Sequence, residues 1–76
     1  MLIKIKDENI AELIAYHQNR IAEYKAYRAG LTISRERAEA ENNSERINQI
    51  DETLEASRQR VKENEEIIRE LTERLQ

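Results

Sequence analysis

Ile33, Ala40, Ile47, Leu54, Val61, Ile68 and Leu75 are seven apolar residues spaced seven apart, in a chain of which 38% is charged. On an α-helix that spacing draws one slowly drifting stripe, and a stripe so long needs another helix to cover it. The chain has no proline and one glycine among its 76 residues. Strand–turn–strand architectures need far more turn formers than this. Ala, Glu, Arg, Leu and Ile dominate, as in long helices and coiled coils. The expected fold class is therefore all-α: an antiparallel helical hairpin, coiled-coil-like, assembling into a dimeric bundle.

A chain of 76 residues supports a single domain and only a marginal core. The absence of cysteine excludes a disulfide scaffold and a thiolate zinc site, and is consistent with a reducing compartment. The longest uncharged run, Leu13 to Asn19, is too short to span a bilayer. Residues 1–6 carry Lys4 and Lys6 but no apolar core follows them, so they do not read as a signal peptide. The expectation is a soluble, cytoplasmic protein.

Three segments emerge along the chain. Residues 1–6 alternate Ile3 and Ile5 with lysine and form a lead-in, either strand-like or an extension of the first helix, since Ile3 lies seven residues before Ile10. Helix one is predicted over residues 7–29, with Asp7 or Asn9 as cap and a seam of Ile10, Ile14, His17, Ile21, Tyr24, Arg28 and Leu31 in alternating steps of four and three. Gly30, the one glycine, stands where a helix takes a left-handed terminator, so the turn is placed at 30–34. Helix two follows over 35–75. Asn42-Asn43-Ser44 is its one weak spot, but Ala40 and Ile47 keep phase across it, and the prediction is a continuous helix.

On those boundaries helix two is about 60 Å long and helix one about 35 Å. Folded at Gly30, helix one reaches only to about Ser57, leaving Val61, Asn64, Ile67, Ile68, Leu71 and Leu75 uncovered. A side chain such as Leu71 gains about 1.5–3 kcal/mol on full burial, so this stripe is expected to self-associate, with Val61, Asn64, Ile68, Leu71 and Leu75 at the contact. In a parallel dimer Arg46 would face Asp51 and Arg60 would face Glu65; an antiparallel four-helix dimer is the rival. The net charge of −3 divides into +2 over residues 1–38 and −5 over 39–76, which also suits antiparallel neighbours.

Catalytic parts are not recognisable. His17 is the one histidine and lies on a seam, where a hydrogen bond across the interface is the expected role. The Glu-x-x-His metal signature is missing because Ile14 stands three residues before His17. No carboxylate sits mid-stripe, and one glycine cannot make a phosphate loop. No metal, cofactor or enzymatic activity is expected. A DNA-binding helix-turn-helix fails because Glu36 and Glu39 fall where its second helix needs apolar residues. Arg20, Lys25, Arg28, Arg35 and Arg37, with Tyr24 and Tyr27, form a basic cluster near the predicted turn. Arg35 and Arg37 each have a glutamate four residues on, however, so nucleic acid is not the expected partner.

A second stripe on helix one, Leu13, Tyr16, Arg20 and Tyr27, carries the residue types enriched at binding hot spots. It is either the core of a four-helix dimer or a docking face for an unidentified protein. The expected function is a non-enzymatic protein–protein interaction module, a small dimeric adaptor or regulator. Two alternatives stand beside it. An acidic inhibitor would use Glu63, Glu65, Glu66, Glu70 and Glu73 to occupy a basic site on another protein. A small chaperone would take a client helix on the uncovered stripe.

Overall fold

The computed structural model describes residues 7–75, which form two helices packed against each other: α1, Asp7–Ala40, and α2, Ser44–Leu75. The lead-in 1–6 lies outside the described residues. Together the helices make a rod of 55 × 19 × 19 Å.

The fold-back point corrects the predicted turn. Gly30 lies inside α1, with no positive φ, and the chain stays helical through 30–34. A glycine inside a helix costs only about 1 kcal/mol relative to alanine. Continuing the helix places Leu31 half-buried and Ala38 buried on the seam, which outweighs that cost. The true stop is at Asn42-Asn43. Asn42 adopts the left-handed conformation, with φ 56°. Its N–H donates to the Glu39 carbonyl (3.1 Å), and the Asn43 N–H donates to the Ala38 carbonyl (2.9 Å). This pair of bonds is a Schellman stop, with asparagine in the place usually held by glycine. Asn43 then starts α2: its side-chain Oδ1 accepts from the Arg46 N–H (3.2 Å), and its carbonyl accepts from the Ile47 N–H (3.1 Å). One three-residue stretch thus ends one helix and caps the next.

The break resets the seam. On α1 the side chains turned inward are Ile10, Ile14, His17, Ile21, Tyr24, Arg28, Leu31 and Ala38, so the alternating pattern predicted for helix one runs on past Gly30. On α2 they are Ile47, Ile50, Leu54, Ser57, Val61, Asn64, Ile68 and Leu71. Ile33 and Ala40, which share the seven-residue phase of Ile47, are exposed. Their phase match across Asn42 was coincidental.

The helices have 34 and 32 residues, close to 50 Å each at about 1.5 Å per residue. The predicted longer second helix is therefore corrected, and with it the uncovered stripe. α1 covers α2 nearly to its end: Val61 and Leu71 are buried, Asn64 and Ile68 half-buried, and Ile67 and Leu75 are exposed. The core is one side chain thick. Its buried apolar members are Ile10, Ala38, Ile50, Val61 and Leu71, and Ser57 is buried among them.

Candidate interaction surface

Two polar contacts link the helices and set their relative register. His17 Nδ1 lies 2.7 Å from Asn64 Oδ1, and Asn64 Nδ2 donates to the Arg60 carbonyl at 2.6 Å. With Nδ2 committed to a carbonyl, Oδ1 is the acceptor and His17 Nδ1 carries the proton. Nearer the loop, the Arg35 guanidinium holds Asp51 through two bonds, Nε to Oδ1 at 2.7 Å and Nη2 to Oδ2 at 3.3 Å, and also pairs with Glu39. Hydrogen bonding from Arg35 lowers the Asp51 carboxyl below its ordinary value, and the same bonding raises Arg35. Within the chain Asp51 is taken by Arg35, and Arg60 pairs with Glu63 at 3.5 Å.

The Arg35 cluster identifies the sides of the rod. Asp51 immediately follows the seam residue Ile50, and Glu39 immediately follows Ala38. Both reach one guanidinium, so residues that trail the seam on either helix lie on a common flank. Antiparallel helices require this, because the same rotation along each chain brings both to the same side. The opposite flank carries residues that lead the seam: Leu13, Arg20 and Tyr27 before Ile14, Ile21 and Arg28, and Arg46, Arg60 and Ile67 before Ile47, Val61 and Ile68.

This second flank gathers the stripe predicted on helix one and adds a residue to it. Tyr16 and Tyr27 are 56% and 55% exposed, and Leu13 and Ile67 are 38% and 37% exposed. Ile67 was predicted as part of the self-association stripe. Helical phase instead places it beside Leu13 and Tyr16, at the open end of the rod. Arg20 lies between them and Tyr27. Its guanidinium stacks 5.0 Å from the centre of the Tyr24 ring, donates to the Tyr24 hydroxyl at 2.8 Å and pairs with Glu23 at 3.3 Å. Tyr16 meets the His17 ring edge-on at 5.1 Å, so the same aromatic contact touches both the seam and the exposed face.

The other predicted sites are redistributed. Val61, Asn64, Ile68 and Leu71 belong to the seam within the chain and are not free for a client helix, which removes the premise of the chaperone reading. Lys25, Arg28, Arg35 and Arg37 lie along α1 and not at the hairpin tip, which is Glu41–Asn43. Arg28 is half-buried on the seam, and its buried Nε has no hydrogen-bond partner. Glu63, Glu65, Glu66, Glu70 and Glu73 are all exposed. Lys62 and Arg69 share a shallow open depression with Glu65 and Glu66, which dilutes the acidic character of that surface. Among the described residues no group of three or more His, Cys, Asp or Glu is arranged to hold a metal ion, and no helix is long and apolar enough to cross a membrane.

Comparison with known proteins returned no match: no family model, no curated sequence and no solved structure. The class defined by the geometry is the two-helix hairpin.

Proposed function

We propose that this chain is a non-enzymatic protein–protein interaction module, a coiled-coil-like hairpin acting as a small adaptor or regulator through the flank that carries Leu13, Tyr16, Arg20, Tyr27 and Ile67. The observation that carries this reading is the exposure of both tyrosines, at 56% and 55%, on a flank that also holds two large aliphatic side chains. Tyrosine and arginine beside apolar residues supply contact area at low entropic cost, and such sets dominate binding energy at interfaces. The hairpin seam holds the flank rigid by burying its own residues, so the flank is not needed to close the fold of one chain.

The test has two parts. Tyr16→Ala with Tyr27→Ala is expected to leave helicity at high dilution unchanged; collapse of the fold would make the stripe part of the core and sink the reading. A photo-cross-linking amino acid placed at Tyr16 or Tyr27 in expressing cells is expected to form protein adducts, while the same group at exposed Glu52 does not. Absence of adducts at both tyrosines, or equal labelling at Glu52, would overturn it.

A further inference from the structure

We infer that the occupant of this flank is a second copy of the same chain, laid antiparallel about a two-fold axis at the level of Arg20. The inference rests on the docking role just proposed and names its partner. Three observations carry it.

The first is area. The chain exposes 6266 Å², whereas a compact monomer of 9.0 kDa exposes about 4,900 Å². The excess is that of a rod with one thin core, and it exceeds the roughly 800 Å² per partner that a stable interface buries.

The second is the spacing along the flank. Leu13 and Tyr27 each lie seven residues from Arg20, in opposite directions, or about 10 Å either way. The His17–Asn64 bond sets Arg60 level with Arg20. A two-fold axis at that level carries Tyr27 of one copy onto the Leu13, Tyr16 and Ile67 group of the other, aromatic against aliphatic, twice by symmetry. About 40 Å of each rod overlaps in this arrangement. Across a rod 19 Å wide that gives a footprint of roughly 750 Å² per copy, the size of a standard interface.

The third is charge. The positions leading the seam carry Arg20, Arg46, Arg60 and Arg74 beside the acidic Glu23, Glu63 and Glu70. At the axis Arg20 of one copy meets Arg20 of the other and Arg60 meets Arg60, each beside the carboxylate, Glu23 or Glu63, that it holds at 3.3 and 3.5 Å within its own chain, so that the four arginines at the axis are matched by four carboxylates.

The experiment uses the full chain, which has no native cysteine. Sedimentation equilibrium across micromolar concentrations is expected to show a dimer. Tyr27→Ala is expected to weaken it by at least about 30-fold, the effect of losing one hot-spot residue, with helicity retained at dilution. Leu13→Cys and Tyr27→Cys chains are then mixed and treated with a short bifunctional maleimide. Preferential Leu13→Cys to Tyr27→Cys heterodimers support the antiparallel dimer. Leu13→Cys homodimers mean a parallel dimer and overturn the geometry. A monomer at all concentrations overturns self-association altogether. In that case cross-links in cells from Tyr16 and Tyr27 to a different protein would leave the interaction-module reading standing, and no cross-links would remove both.

Discussion

His17 on α1 and Asn64 on α2 are joined across the hairpin at 2.7 Å, although 47 residues separate them in the chain. The bond is part-buried on the seam, with Ile14 and Ile21 a turn away on α1 and Val61 and Ile68 on α2. Sliding one helix by a turn would leave both polar groups against hydrocarbon. The pair therefore selects one register from several that a purely apolar seam would tolerate.

Removing one partner should cost more than removing both. Asn64→Ala leaves the His17 Nδ1 proton without its acceptor and is expected to destabilise the hairpin by about 1–2 kcal/mol. His17→Leu combined with Asn64→Leu is expected to be close to neutral or stabilising in urea denaturation. The double variant should lose uniqueness of pairing, seen as several sets of amide resonances in place of one. An additive loss in the double variant would show that the bond carries no special role in register.

Gly30 offers a gain in stability. It is helical and exposed, and an added Cβ would meet nothing within 4 Å. Gly30→Ala is expected to stabilise by about 0.5–1 kcal/mol, because alanine loses less conformational freedom on entering a helix. A loss of stability in thermal or urea unfolding would mean that the chain bends at this position.

The loop responds in the opposite sense. Asn42 has φ 56°, where alanine pays about 1–2 kcal/mol and glycine does not. Asn42→Ala is expected to lower stability by about 1 kcal/mol and Asn42→Gly to keep it. Asn43→Ala removes the bond to the Arg46 N–H and should cost about 1 kcal/mol as well. Equal stability of Asn42→Ala and Asn42→Gly would contradict the left-handed stop.

Acid should weaken the loop-proximal half of the hairpin through Asp51. Hydrogen bonding from Arg35 lowers the folded-state value of this carboxyl below its ordinary 3.8. A carboxyl depressed on folding contributes stability that is fully present above its unfolded value and is lost as pH falls through the lowered folded value. Asp51→Asn is expected to flatten that part of the acid limb in pH-dependent denaturation and to leave the neutral-to-alkaline region parallel to the parent. An unchanged acid limb would show that the pair does not form in solution.

Much of this structure is legible in the residues, and the misreadings have a common origin. The inward side chains of α1 from Ile10 to Leu31 follow from their alternating steps, as do those of α2 from Ile47 to Leu71. The chain reverses at Asn42-Asn43 and not at the lone glycine. Asparagine is one of the few residues besides glycine that take the left-handed conformation, and here it also has an N-cap directly behind it. The shared phase of Ala40 and Ile47 then masked the break. Moving the fold-back point by about ten residues converted Val61 and Leu71 from a supposed external contact into core, and left Leu13, Tyr16, Tyr27 and Ile67 as the exposed apolar group.

What the sequence by itself determined is local in origin: helix in preference to strand, which face of each helix is apolar, and the concentration of tyrosine on one stripe of α1. These follow from a period of about 3.6 residues that any short window displays. What only the tertiary structure decided is which residue of α1 meets which residue of α2. That pairing is non-local and depends on where the chain reverses. From the reversal at Asn42 follow the His17–Asn64 bond, the capture of Asp51 by Arg35, and the placement of Ile67 on the same flank as Leu13 and Tyr16.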